Sequence, residues 1–504
     1  MARRNRPRAG RGRTDRRTVS PGRRTWPQSL PVTWQQYEVL LDSFAHRGAG
    51  RHVAQLAWCW HGPLDTERFT AAWQSVTDRE IVLRAAVAWD TFPRIVFHER
   101  AHAEVDHCPA GTDWDELLER DRLRGFDLRR PGPLRITLVD AGEPGERRTA
   151  ATHVLLTFHH ALLDAWSVFL LMEEFCRAYL ADGMLPGGER RPDLRDWTRW
   201  LDHQDTRPAR DFWSGAARDT SVAVLPARPG PATAQRGSGR AEVRLSAAEA
   251  DRIYRWAAAR AVPDSCAVQA VWALLLYRAA GVRGPAPVGF GVTVSGRGIT
   301  LDSVERLVGP LRTSVPMAVR VDPESSVRGL LTALRDRALD MAAYEWVPTG
   351  QIREWTGRDG RSSLMESQVA WENTPRPLPD LSGRLADAGI RLEPRRATDG
   401  HTSLPAALLA HRAADGSLTL TVAHDRARLS DDEAWKLAGH CARLLRRLPS
   451  TTGEATVADV LRVLEGDPPP RAAPPPRGHP PRAVRLRPYS TGGRPGVDRA
   501  GSES

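Results

Sequence analysis

ATHVLLTFHHALLDAWSVFLLMEEFCRAYLADG, residues 151–183, is the stretch from which the fold is read. It opens with Val154-Leu155-Leu156-Thr157-Phe158, an apolar, β-prone run of the length of a buried strand. From Trp166 to Leu180 the apolar residues recur at helical spacing, and Gly183 stands where helices commonly stop. His159, His160 and Asp164 therefore fall on a strand-to-helix turn. A short loop between two rigid elements keeps its side chains in place, which suits chemistry. Imidazole titrates near neutral pH, so one histidine can take a proton from a nucleophile and pass it on. Asp164 could orient a ring, or pair with an arginine to fix the loop. Alone, two histidines and an aspartate are more often a polar loop edge or a satisfied core histidine. The rest of the chain has to decide.

The string HHALLDAWS resembles the HHxxxDG motif of condensation domains from nonribosomal peptide synthetases and their acyltransferase relatives, with Ala165 in place of the glycine. Further landmarks of that family follow in order. Thr33 to Gln36, opening a helix that runs to Phe44, resembles a Ser/Thr-x-x-Gln segment. Arg79-Glu80-Ile81-Val82-Leu83-Arg84 resembles Arg-His-x-x-Leu-Arg, with Glu80 replacing the histidine. Gly125 to Gly142 resembles a hairpin leading to the central strand, and Ser295-Gly296-Arg297 a Ser-Gly-Arg segment. Val304 to Val321 resembles Val-Gly-x-Phe-x-Asn-Thr-x-Pro, but Thr313 stands for Asn and Ala318 for Arg. Ser363 to Pro375 ends in a matching Glu372-Asn373.

This resemblance covers about residues 28–465. It implies an α/β fold of two chloramphenicol acetyltransferase-like lobes, mixed sheets with flanking helices, forming a V around a central tunnel. The lobes are expected at 28–225 and 241–465, with 226–240 (PARPGPATAQRGSGR) as linker. It implies a free-standing condensation enzyme joining an acyl or aminoacyl thioester, carried on a carrier protein's phosphopantetheine arm, to an amine or alcohol acceptor. His160 would be the base or position the nucleophile, while His159 and Asp164 hold the loop. Arg79, rather than Arg84, would pair with Asp164, and backbone N–H groups near Ala165 would face developing negative charge. Ala165 cannot take a positive φ cheaply, as glycine can. Trp166, Ser295, Arg297, Thr313 and Ser314 are expected to line the tunnel. No cofactor or metal of the protein's own is implied. An acyl-CoA-dependent acyltransferase and a non-catalytic carrier-protein docking protein remain open beside this reading.

The net charge of +11 belongs to the ends. Residues 1–24 hold ten Arg against Asp15, and residues 466–504 hold seven Arg against Asp467, Asp498 and Glu503. The body between them is left at about −2, so the basic balance gives no ground for a nucleic-acid partner. Both ends read as disordered tails rich in Arg, Pro and Gly. Five scattered cysteines without a CxxC, and no apolar run approaching ~20 residues, point to a soluble cytoplasmic protein away from membranes. His98-Glu99-Arg100-Ala101-His102 matches HExxH, but it lies between two strand-like runs, and zinc binding needs both histidines on one helical face. No Walker lysine and no GxSxG occurs.

Overall fold

A computed structural model describes residues 29–475 except 90–91, 142–150, 189, 217–220, 357–363, 373–378, 396–403, 414 and 452–453. The expected N-terminal tail at 1–24 lies outside the described residues, and so does Asn373.

The first sheet is built on the strand Ala151–His159, which runs antiparallel to Val53–His61 on one side and to Leu134–Asp140 on the other. Its side chains from Val154 to His159 are all buried, as the continuous apolar run requires. The helices Thr66–Arg79 and Ala165–Tyr179 pack together over it. Trp60, Phe69, Trp73 and Phe175 fill the space between, with Trp73 stacked on Phe175 at 4.8 Å. Burying each such ring contributes roughly 2–3 kcal/mol.

The second sheet has six strands in the order 313–321, 286–294, 367–372, 406–412, 418–425, 238–245. The helix Asp264–Ala280 crosses its core and is buried nearly all round, matching its uniformly apolar sequence. Gly281 ends it at φ 65°, a left-handed cap that favours glycine. The preceding helix Ala247–Ala258 is capped by Ser246, which forms a reciprocal capping box with Glu249. The closing helix is Asp431–Arg447, capped by Ser430.

The lobe boundaries need correction, because the chain crosses more than once. Residues 391–395 leave the second half and add an edge strand to the first sheet, pairing with 57–61. Val304, Leu307, Val308 and Leu311 also pack into the first core. The 226–240 linker is partly structured: 228–229 pairs with 471–472, and Ser238 already opens a strand. The C-terminal tail accordingly starts later than 466, since Ala472 and Ala473 are buried and Ala473 N–H donates to the Arg428 carbonyl at 2.7 Å. Among the described residues no helix is long and apolar enough to cross a membrane.

Candidate functional site

The site sits where the central strand gives way to the helix Ala165–Tyr179. His159 is the last strand residue, and Leu162 and Leu163 N–H both donate to its carbonyl at 3.1 Å, closing a tight turn. Two outside groups hold that turn. His160 N–H donates to the His52 carbonyl at 2.9 Å, and Gln36 Nε2 donates to the Ala161 carbonyl at 3.0 Å. Gln36 is the third helical residue after its cap Thr33, so the Thr-x-x-Gln segment both caps its own helix and grips the turn.

The two histidines are held in opposite tautomers. Ala161 N–H donates to His159 Nδ1 at 3.1 Å, which leaves the proton on Nε2. That N–H donates to Ser43 Oγ at 3.2 Å, and Ser43 O–H in turn donates to the Val39 carbonyl at 2.8 Å. Both nitrogens of His159 are thus engaged. His160 Nδ1 faces the Leu163 carbonyl at 3.2 Å, and since a carbonyl only accepts, the proton is on Nδ1 and the Nε2 lone pair is available. Burial, reinforced by His52 and the Arg312 cation, pushes His160 down to about 4. Burial pushes His159 down to about 3, so both rings are neutral at pH 7. His160, half-buried where His159 is buried, is the one equipped to take a proton.

Asp164 is a buried N-cap, with Ser167 N–H donating to its Oδ1 at 2.8 Å and Ser167 O–H at 2.7 Å. Its main partner comes from the second half. Arg297 donates to both carboxylate oxygens at 2.8 and 3.2 Å, and Leu311 and Arg312 N–H donate to Oδ2 at 3.1 Å. Burial alone would raise the carboxyl pKa; the Arg297 guanidinium and Ser167 outweigh it and hold Asp164 below the usual range. The expected Arg79–Asp164 pair is therefore corrected. Arg79 Nε lies 3.9 Å from Glu174, one face further along the motif helix, and Arg297 takes the bracing place. The Arg297 side chain is only 4% exposed, so it belongs to this brace and not to a tunnel wall. Trp166 lies 5.4 Å from the Arg297 guanidinium and donates from Nε1 to the Glu305 carbonyl at 2.8 Å, which makes it part of the same seam.

Ala165 is the first residue of its helix and has no positive φ. The concern that a glycine is needed there falls away. Glu80 faces Glu174: burial, and then the Glu174 carboxylate, push it well above the carboxylate range against Arg191 and Arg79.

Arg312 was not singled out by the sequence. Its guanidinium binds Glu372 twice, at 2.6 and 3.2 Å, and its field reaches His160. Ser314 Oγ donates to Gln368 Oε1 at 3.1 Å and lies 3.3 Å from Thr293 Oγ1. Thr313, half-buried, heads the same strand, and Ser295 is exposed, its Oγ accepting from Arg297 N–H. Ala318 lies four residues beyond Ser314, roughly 13 Å along the strand. It lines a separate cavity of about 390 Å³ with Arg320, Asp336 and Arg337, so its change from the family pattern lies away from His160. A cavity of about 320 Å³ lined by Ser43, Phe126 and Arg129 reaches His159 but not His160. Neither nitrogen of His159 is free to act on a molecule in that cavity. The His98–His102 segment is irregular chain between strands, with Arg84 donating to the carbonyls of His98 and Glu99 at 2.9 Å. The helical face that HExxH requires does not form.

A family model described as "Condensation domain" matches residues 31–455. The chain is 30% identical over 362 residues to one of the linear gramicidin synthase proteins of Brevibacillus parabrevis, covering 68% of this chain and 4% of that relative. It thus spans a small fraction of the curated relatives it matches. Among solved structures, the first condensation domain of the calcium-dependent antibiotic synthetase, bound to a substrate analogue, aligns with a TM-score of 0.68 and 19% identity, over 85% of this chain and 98% of that one. The complex of the X-domain and OxyB from teicoplanin biosynthesis aligns with a TM-score of 0.67 and 22% identity, over 86% and 96%.

Proposed function

The chain belongs to the condensation-domain family of nonribosomal peptide synthesis, and we propose that it joins an acyl or aminoacyl thioester, carried in trans on a carrier protein, to an amine or alcohol acceptor. The observation that carries this reading is the tautomer pair, with His160 Nε2 left as the accepting nitrogen on a turn braced from both halves of the chain. In the reaction the acceptor nitrogen or oxygen attacks the thioester carbonyl. Its proton passes to His160 Nε2, the C–S bond breaks, and the proton leaves with the phosphopantetheine thiol. Leu163, through its carbonyl, keeps the ring aligned. Asp164, an ionised N-cap paired with Arg297, fixes the turn and takes no part in the proton exchange. Ser167 N–H is taken by Asp164, but the N–H groups of Ala165 and Trp166 lack carbonyl partners within the helix and can face the tetrahedral oxygen, a contribution commonly near 3 kcal/mol.

Intact-mass spectrometry tests this. A carrier protein loaded with acyl or aminoacyl groups is mixed with amines and alcohols, alongside the same acyl groups on coenzyme A. Loss of the acyl group from the carrier with a new coupled product supports the reading. Turnover from coenzyme A alone assigns the carrier-independent acyltransferase activity instead. Carrier binding without turnover, unchanged by His160→Ala, assigns docking.

A further inference from the structure

We propose that Arg312 and Glu372 form the acceptor's recognition site and that the acceptor is a free amino acid, carrying an unesterified carboxylate close to its amine. This rests on the condensation reading and names the acceptor class at the same site. Arg312 is fixed by its own backbone on both sides. Its N–H donates to Asp164 Oδ2 at 3.1 Å, and its carbonyl accepts from Gln35 Nε2. The side chain thus starts from a point tied directly to the motif loop, and it ends in a two-point ion pair with Glu372 at the end of the strand Ser367–Glu372. The field of the Arg312 cation reaches the motif histidine and depresses His160, while Glu372 holds that guanidinium in place through both of its oxygens. The pair is half-buried, with side chains 26% and 18% exposed.

An ion pair in that position is costly to desolvate and gives an apolar acyl chain no favourable surface. It is matched by a ligand that carries both charges. A guanidinium binds a carboxylate through two parallel N–H donors, and a carboxylate holds an ammonium. An amino acid exchanging into the pair would place its carboxylate on Arg312 and its nitrogen between Glu372 and His160. A carrier-tethered aminoacyl group has lost that carboxylate to the thioester, so this geometry selects the untethered molecule. No bond is made or broken at Arg312 or Glu372, whose role is to position the acceptor.

The test compares free amino acids, their primary amides and n-propylamine as acceptors, with the full chain and a loaded carrier protein. In wild-type protein kcat/KM for the acid exceeds that for its amide by about tenfold to a hundredfold, the range of a charge-assisted hydrogen bond. Arg312→Gln abolishes this preference mainly through KM, so that the ratio of kcat/KM for the acid to that for its amide falls to about one. Equilibrium binding of the free amino acid, followed by calorimetry without donor, weakens by the same factor in Arg312→Gln and in Glu372→Gln. Equal use of acid and amide by the wild type would overturn the proposal while leaving condensation intact. Carboxylate-dependent binding without any turnover would sustain the recognition site and reject the condensation reading. Absence of binding and of preference would reject the recognition site.

Discussion

Replacing Arg297 with methionine separates the brace described above from the one the sequence suggested. The substitution keeps an unbranched apolar stem in a space where the side chain is 4% exposed, and it removes both N–H donors from Asp164. Four donors remain on that carboxylate, from Ser167 N and Oγ and from the N–H groups of Leu311 and Arg312. The charge stays buried without its counter-ion, and the Leu307 carbonyl also loses a donor. Breaking a buried pair from one side costs about 3–5 kcal/mol. For a chain of this length roughly 1 kcal/mol corresponds to one degree of melting temperature, so Tm falls by about 3–5 °C. Arg79→Met removes a partly exposed cation 3.9 Å from Glu174, which keeps Arg191 as a counter-ion, so it costs less than the Arg297 substitution. Asp164 contributes stability above its unfolded pKa that is lost as pH falls through its depressed folded value. Without Arg297 that folded value rises, so acid unfolding begins at higher pH. The assays are calorimetric melting of both variants at pH 7 and a tryptophan-fluorescence acid titration. A destabilised, inactive Arg79→Met beside a tolerated Arg297→Met would refute the argument.

Other predictions can be checked in the same preparations. Ala165→Gly lowers stability by about 0.5–1 kcal/mol and leaves kcat no higher, because the position is helical; denaturant titration and steady-state rates report both. Glu80 has its folded pKa raised from 4.5, so stability is fully present below that value and falls as pH climbs toward neutrality and beyond. Glu80→Gln makes that fall shallower in melting curves taken from pH 5 to 9, and a steeper fall would count against the acid pair. Gln36→Ala frees the Ala161 carbonyl from its grip and lowers kcat more than it raises KM, which initial-rate kinetics at varied acceptor would show.

Much of the site was legible because it is local. The apolar run before His159 and the helical spacing after Asp164 each depend on neighbours a few residues away, and each forms as read. The partner of Asp164 was not legible, since Arg297 lies 133 positions away and an arginine carries no mark of which carboxylate it will meet. Arg312 escaped notice for the same reason; the paired Glu372 was seen only as part of a pattern. The strand Arg391–Arg395 was missed because five residues with three charges do not alternate, and their edge position is set by the strand they join. The residues around Ala472 look like tail in composition, yet two alanines and a backbone pairing suffice to dock them.

The most direct test of the central claim is a single-turnover measurement of acyl loss from a loaded carrier protein, with wild type, His160→Ala and His159→Ala compared at pH 7. Neutral His160 with a free Nε2 predicts a rate lowered by about 10²–10⁴ in His160→Ala, and melting temperature kept. A His160→Ala protein that transfers the acyl group at the wild-type rate, or one matched in loss by a fully folded His159→Ala, would contradict it.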